Sequence, residues 1–337
     1  MSPAQKIFVT GGTGRTGTHL VRALLSRGYQ VRAVSSRPPI ETAERTNGVD
    51  WHLMDWQKDI EFSGLLEGCA AVLHLGAQIT DIQLMPRVNV EATAALAAEA
   101  ERAGIRFFCY TSSVAVYGSP RRRLVTEDTP TVTADRDVPQ ENLASDAARA
   151  YSRSKLLGER AIEAVTRTCE YVILRPTVIV RDEDIRKSLD LSLARRLLFA
   201  NRHTHHLHVT DFVHAILWFM ERALTRPEPE PGVQVFNLSN DDVTFNTIAY
   251  LLRKAHRVTG DKRYVCPPYA PAVIDLIATM LKYRSSQLRY PFGMLRYSPA
   301  RLYATGYRHA LGILSAQDRL LESLSTLSNR SASGPAV

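Results

Sequence analysis

Residues 6–17 read KIFVTGGTGRTG, and the fold turns on this stretch. Its first half is an unbroken apolar run with β-branched and aromatic side chains, the pattern of a strand buried on both faces of a parallel sheet. Three glycines follow, Gly11, Gly14 and Gly17, spaced G-x-x-G-x-x-G. A glycine at 11 permits a tight turn off the strand. One at 14 lets backbone approach a ligand, and one at 17 lets a helix pack closely on the strand. The amphipathic run GTHLVRALLSRG (17–28) then reads as a helix. Its N-terminal N–H groups point back at the turn, where they suit a diphosphate. A glycine triplet alone is weak evidence; a strand before it and a helix after it make it a dinucleotide fingerprint.

Outward from this point the chain alternates strand-like and helix-like segments. Strands are predicted at 29–34, 49–56, 70–77, 105–113, 171–180 and 233–239, and helices at 88–104, 147–165 and 207–224. Such βαβ alternation specifies an α/β fold, a doubly wound parallel (Rossmann) sheet. Residues 241–325 read as helical and form a smaller C-terminal substrate lobe. The expected division is 1–180 plus 207–240 for the dinucleotide domain, 181–206 plus 241–325 for the lobe, and a small, polar, disordered tail at 326–337.

Composition narrows the class. A hydrophobic content of 45% and a charged content of 23% over 337 residues are those of a globular protein with a real core. The net charge of +8 is dispersed, which reads as a solvated basic surface and not as a nucleic-acid partner. Basic and aromatic residues interleave over 282–309, and this too reads as lobe helices with arginines facing water. The four cysteines (Cys69, Cys109, Cys169, Cys266) are far apart, as isolated thiols in a reducing compartment would be. The apolar PAVIDLIATML (271–281) is too short to span a bilayer and carries Asp275. With a core strand starting at residue 6 and no room for a signal peptide, the expected location is cytoplasmic, with no membrane partner.

A second constellation carries chemistry. Tyr151 and Lys155 stand four apart in a helical run and share one face. An ammonium beside a phenol favours the phenolate, lowering its pKa toward the working range of a general acid/base. The strand at 105–113 ends in Thr111-Ser112-Ser113, hydroxyls at the end where a substrate oxygen would lie.

Taken together, VTGGTGRTG, the acid of LMDW, HLGA, NVEAT, YTSSVAVYG, YSRSK, LRP and HVTDFVHA resemble the extended short-chain dehydrogenase/reductases, also called the NAD(P)-dependent epimerase/dehydratase family. They occur in the family's order over about residues 5–325. The resemblance implies a catalytic Ser113, Tyr151 as acid/base, and Lys155 binding ribose and tuning the tyrosine. It places Asp55 and Trp56 by the adenine and Ala77, within Leu75-Gly76-Ala77, by the nicotinamide. Thr16 in the glycine turn and Pro176 of LRP join the cofactor side. Asn89 takes a supporting role, for which a helix cap or packing residue is an equal reading. A homodimer through helices 88–103 and 148–165 is implied as well.

Cofactor choice is read at AVSSRPP (33–39). An NAD-preferring chain carries an acid near position 35; here stand Ser35, Ser36 and Arg37, hydroxyls and a guanidinium suited to a 2′-phosphate. Arg15 is a further positive charge for it. NADP(H) is therefore the preferred cofactor and NAD(H) the alternative. TVIVRDED lacks the asparagine and glycine-proline pair of nucleotide-sugar members. The C-terminal region is similar to hydroxysteroid-dehydrogenase-like and ketoreductase members. The expected reaction is hydride transfer between nicotinamide and a keto or hydroxy group of a small-molecule substrate. A nucleotide-sugar epimerase or dehydratase with retained NAD is the first alternative, and a non-catalytic NADP sensor or scaffold the second. Finally, HTHHLH (203–208) is histidine-rich, but HVTDFV belongs to the family's cofactor-side return segment and no acidic or thiol partner is read for the tract. These histidines are expected to line the substrate cleft, with no metal.

Overall fold

The computed structural model describes residues 5–36, 48–118, 120, 124–133, 145–242, 246–266 and 295–332. The chain opens with β1 (Lys6–Thr10), turns through the glycines into α1 (Gly17–Ser26), and continues as β2 (Gln30–Ser35), β3 (Val49–Leu53) and β4 (Cys69–His74). A π-helical turn (Pro86–Glu91) runs into α2 (Ala92–Arg102). Next come β5 (Phe107–Thr111), a 3₁₀ turn (Val114–Tyr117), β6 (Leu124–Val125) and the long α3 (Asp146–Val165). The chain goes on through β7 (Glu170–Pro176), β8 (Val178–Val180), α4 (Asp182–Lys187), α5 (Leu193–Phe199) and β9 (His206–His208). It ends with α6 (Val209–Thr225), β10 (Gly232–Leu238), α7 (Ile248–Thr259), β11 (Arg296–Tyr297), α8 (Ala300–Ala304) and α9 (Ile313–Ala332).

Seven strands form one sheet in the order β10-β7-β5-β4-β1-β2-β3, every neighbour pair parallel. Parallel neighbours need crossovers, so helices cover both faces. Ile7 and Val9 of β1 face one way and pack with α1 and α6; Phe8 faces the other way and packs with α2 and α3. The order reverses at β1, between β4 and β2. The crevice beyond the carboxyl ends of these three strands is therefore where a doubly wound sheet binds its ligand. A separate apolar cluster joins Val180, Ile185, Leu251, Leu252, Ile313 and Leu321, from α4, α7, α9 and their surroundings. No helix among the described residues is long and apolar enough to cross a membrane.

Several boundaries differ from the sequence reading for local reasons. The strand expected at 171–180 is two: β7 stops at Pro176, and β8 leaves the sheet to pair with β9. The helix expected from 207 starts at Val209, because His208 is still strand and its ring Nδ1 accepts from the Thr210 N–H as an N-cap. The helix at 88–104 is preceded by the π turn, for which Pro86 supplies the start. At the C-terminus α9 runs on to Ala332, so residues 326–332 are helix where small polar composition had suggested a disordered tail. The stretches 271–281 and 282–294 lie outside the described residues, as do Arg121–Arg123.

Candidate active site

The glycine turn follows from two steric facts. Gly11 has φ +70°, a left-handed conformation that a side chain resists. A Cβ on Gly17 would lie 2.0 Å from the Gly11 carbonyl oxygen, so only glycine lets α1 start this close to β1. Thr10 then ties the turn to the next strand end: its Oγ1 accepts from the Gly76 N–H at 3.0 Å and bonds the His74 ring at 2.7 Å. Between them opens a cleft of about 250 Å³, walled by Gly11, Thr13, Gly14, Ser35, Ser36, Asp55, Trp56, Gly76, Ala77 and Gln78 among others. The bare backbone at Gly14 beside the α1 N-terminus fits a diphosphate, and Trp56 and Met54 give a flat apolar wall suited to an adenine.

At the end of β2 the cleft offers hydroxyls and no carboxylate. Ser35 is largely buried and its Oγ lies 3.3 Å from Thr13 Oγ1. Arg37 lies outside the described residues. Arg15 departs from expectation: its guanidinium bonds Asp184 of α4 at 2.6 Å, so its charge is already paired. Burial would raise the Asp184 carboxyl, but hydrogen bonds from Arg181 and the charge of Arg15 hold it down to about 2.

Ser113 lies just beyond the end of β5, and Tyr151 and Lys155 stand one turn apart within α3. Ser113 caps the 3₁₀ turn, its Oγ accepting from the Ala115 N–H at 3.1 Å. Burial raises the Tyr151 pKa above that of an ordinary tyrosine, outweighing the neighbouring Ser113 hydroxyl, which favours the phenolate. The sequence reading had Lys155 pulling this pKa down. Instead Lys155 is fully buried, its ammonium 4.1 Å from the centre of the Tyr110 ring, and desolvation lowers its own pKa to about 7 against the opposing pull of Glu159. The phenol, protonated at neutral pH in any ordinary tyrosine, is pushed further from ionisation by burial.

A buried lysine has a stability consequence whose sign can be checked. Its folded pKa lies below the unfolded 10.5, so the cost of burying its charge is full below pH 7 and fades as pH rises toward 10.5. Lys155→Met is therefore expected to stabilise the fold at pH 6 by on the order of a few kcal/mol and by progressively less toward pH 10. Thermal melts across that range check it; a gain that grows with pH would contradict the account.

Two further groups set these side chains, and neither was read from the sequence. Glu159, one turn beyond Lys155, is buried and takes a bidentate ion pair from Arg175 of β7 (3.0 and 2.5 Å) together with the Ser112 hydroxyl. Arg175 also donates to the Tyr117 hydroxyl at 2.9 Å, which donates to Asn237 at 2.7 Å. The i, i+4 spacing from Lys155 was the available signal for Glu159; nothing in the chain marked Arg175. Asn89 is neither a cap nor packing alone. Its Oδ1 accepts from the Gln78 N–H, and its Nδ2 donates to the Gln78 carbonyl and to Ser154 Oγ, linking the cleft wall to the residue before Lys155.

Of the other expected cofactor residues, Gly11, Gly14, Ser35, Ser36, Asp55, Trp56, Gly76 and Ala77 line the cleft. Thr16 is at the start of α1, Gly17 is buried beneath the turn, and Pro176 is buried at the end of β7. Leu75 packs on the core, its N–H bonded to the Thr10 carbonyl, because side chains alternate along the extended chain. Thr13 and Gln78 line the cleft without having been anticipated.

A parallel sheet with a glycine turn at its switch point and an open cleft above it defines a dinucleotide-binding α/β protein. The chain matches the NAD dependent epimerase/dehydratase family over residues 7–238, and it belongs to that family. Among curated proteins it is 35% identical over 191 residues to a Synechocystis protein provisionally described as a dihydroflavonol 4-reductase, covering 54% of this chain and 52% of that protein. It is 25% identical over 290 residues to the ketoreductase sphI of Aspergillus fumigatus, covering 76% and 85% of the two chains. The match thus spans about half the length of the first of these relatives. Among solved structures, a short-chain dehydrogenase/reductase superfamily protein from Agrobacterium tumefaciens with bound NAD has the same fold, with a TM-score of 0.64 at 24% identity over 97% of this chain and 98% of that one.

Proposed function

We propose that the protein is an NADP(H)-preferring reductase or dehydrogenase acting on a small-molecule ketone or the matching alcohol. The observation that carries this reading is the placing of Tyr151 beside Ser113 on the helix that also bears Lys155, with Asn89 tying that helix to the wall of the dinucleotide cleft. A bound nicotinamide supplies or accepts the hydride. Gly11, Gly14 and the α1 N-terminus hold the diphosphate, and Asp55 and Trp56 flank the adenosine. Ser113 donates to the substrate oxygen and Tyr151 passes it a proton as charge develops there. Lys155 carries the positive charge on the ribose side. The described residues within 181–206 and 241–325 roof the substrate, and a second copy docks along α2 and α3.

The preference for the 2′-phosphate rests on Thr13, Ser35 and Ser36, hydroxyl donors where an acid would repel it. The test is NADPH oxidation by the purified protein against a panel of bulky apolar ketones. Net oxidation supports the reading. Tightly held NAD on purification, no net oxidation and interconversion of a nucleotide sugar would establish the epimerase alternative. Ser35→Asp is expected to move the NADPH/NADH ratio of kcat/KM toward NADH by about tenfold or more, the effect of one added charge on a doubly charged group at close range; an unchanged ratio counts against the phosphate seat.

A further inference from the structure

The loop before β9 carries His203 and His205, and the turn after β10 carries Asp241, which is 36 residues from His205 in the chain. Folding brings the three together because β8 leaves the main sheet to pair with β9, setting this loop over the carboxyl end of β10. His205 Nδ1 and Asp241 Oδ2 are hydrogen-bonded to each other at 2.6 Å, a bond that metal entry would have to replace, and His203 Nδ1 lies 3.5 Å from Asp241 Oδ1. One donor atom from each residue falls within 4.8 Å of the others, the one such triad among the described residues.

We propose that His203, His205 and Asp241 form a binding site for a late first-row divalent metal ion of the zinc type. Two imidazoles and one carboxylate are a borderline donor set, which favours zinc and its neighbours over magnesium or calcium, ions that take oxygen ligands. The 3.5 Å between His203 and Asp241 is near the separation of two ligands on a tetrahedral zinc, about 3.3 Å from bonds of about 2.0–2.1 Å. Three protein ligands leave the fourth position open to water or a substrate oxygen.

The surroundings are built to hold these groups. Asp241 is buried, and its Oδ1 accepts no hydrogen bond from the described residues, which leaves that oxygen for a cation. Its Oδ2 is fixed by the Tyr297 N–H at 3.0 Å, the outer support that aims a ligating carboxylate. Asn246 anchors the histidine loop from below, its carbonyl accepting from the Thr204 N–H and its Nδ2 donating to the His206 carbonyl. The His205 ring stands edge-on to Tyr297, centroids 5.3 Å apart. Tyr297 in turn lies 6.1 Å from Tyr117, four residues beyond Ser113, so the site borders the proposed reaction centre without sharing its residues.

The test reads metal binding and not turnover, so its outcome is independent of the ketone-reductase reading. Tag-free protein, stripped with a chelator, is titrated calorimetrically with zinc chloride in a non-coordinating buffer and melted with and without the metal. One zinc per chain and a raised melting temperature are expected. His205→Gln and Asp241→Asn should each weaken binding by more than about 100-fold, the upper range for loss of a mere supporting group. His256→Gln on α7 should leave it unchanged. If Asp241→Asn does not fold, His203→Gln takes its place. Absence of stoichiometric zinc binding by the parent protein, or binding that survives the His205 and His203 replacements, overturns the site.

Discussion

Tyr151→Phe is expected to lower turnover by roughly 10³-fold, within the ~10²–10⁴ that a positioned acid/base supplies, with little change in dinucleotide affinity. The substitution removes only the phenolic hydroxyl, and the ring keeps its packing. A tyrosine is protonated at neutral pH and burial raises this one further, so the protonated form would serve carbonyl reduction directly. Alcohol oxidation needs the phenolate, so its rate should climb with pH through the alkaline range while reduction does not. Steady-state kinetics in both directions check this. Turnover surviving in the variant removes Tyr151 from the chemistry, and an oxidation rate flat in pH removes it as the base.

The second large effect concerns stability. Arg175→Met leaves the Glu159 carboxylate buried with only the Ser112 hydroxyl bond and the attraction of Lys155, a loss of about 3–5 kcal/mol. In a protein of this size that corresponds to a melting temperature lower by on the order of 10 °C. Glu159→Met combined with Arg175→Met should recover most of the loss, since a buried ion pair often stabilises no more than apolar groups of similar volume. Melts of the singles and the double settle the matter. A single variant that loses under about 1 kcal/mol, or a double as unstable as the worse single, contradicts the description of this pair.

The parts of the molecule that were legible from the chain are those whose physics is local. KIFVTGGTGRTG carries a strand, a turn and a helix start within twelve residues, each constrained by near-neighbour sterics, and the parallel sheet followed from repeating that alternation. Tyr151 and Lys155 were legible because a helix turns their sequence spacing into spatial adjacency. Glu159 obeyed the same rule one turn further on and went unread because its partner Arg175 belongs to another element. Asp241 is the clearest case. HTHHLH was set aside as a metal tract for want of an acidic partner, and the acid arrives from beyond β10 through a crossover that no periodicity reports. The protonation of Lys155 was not legible for a different reason: burial, a property of the whole fold, lowers its own pKa to about 7.

One contact bears on the geometry of the proposed reaction centre by what it omits. A Cβ on Gly158 would lie 2.4 Å from the Tyr110 hydroxyl and 2.8 Å from the Asn89 carbonyl, so α3 rests against the sheet layer through a residue with no side chain. Gly158 acts as a spacer of zero thickness between the helix that bears Tyr151 and Lys155 and the strand that leads to Ser113. Anything thicker would tilt the helix as a rigid rod and carry both of its reactive groups away from the serine together. The alignment of this centre is thereby adjustable at a position that touches none of it, seven residues along a lever arm from the phenol.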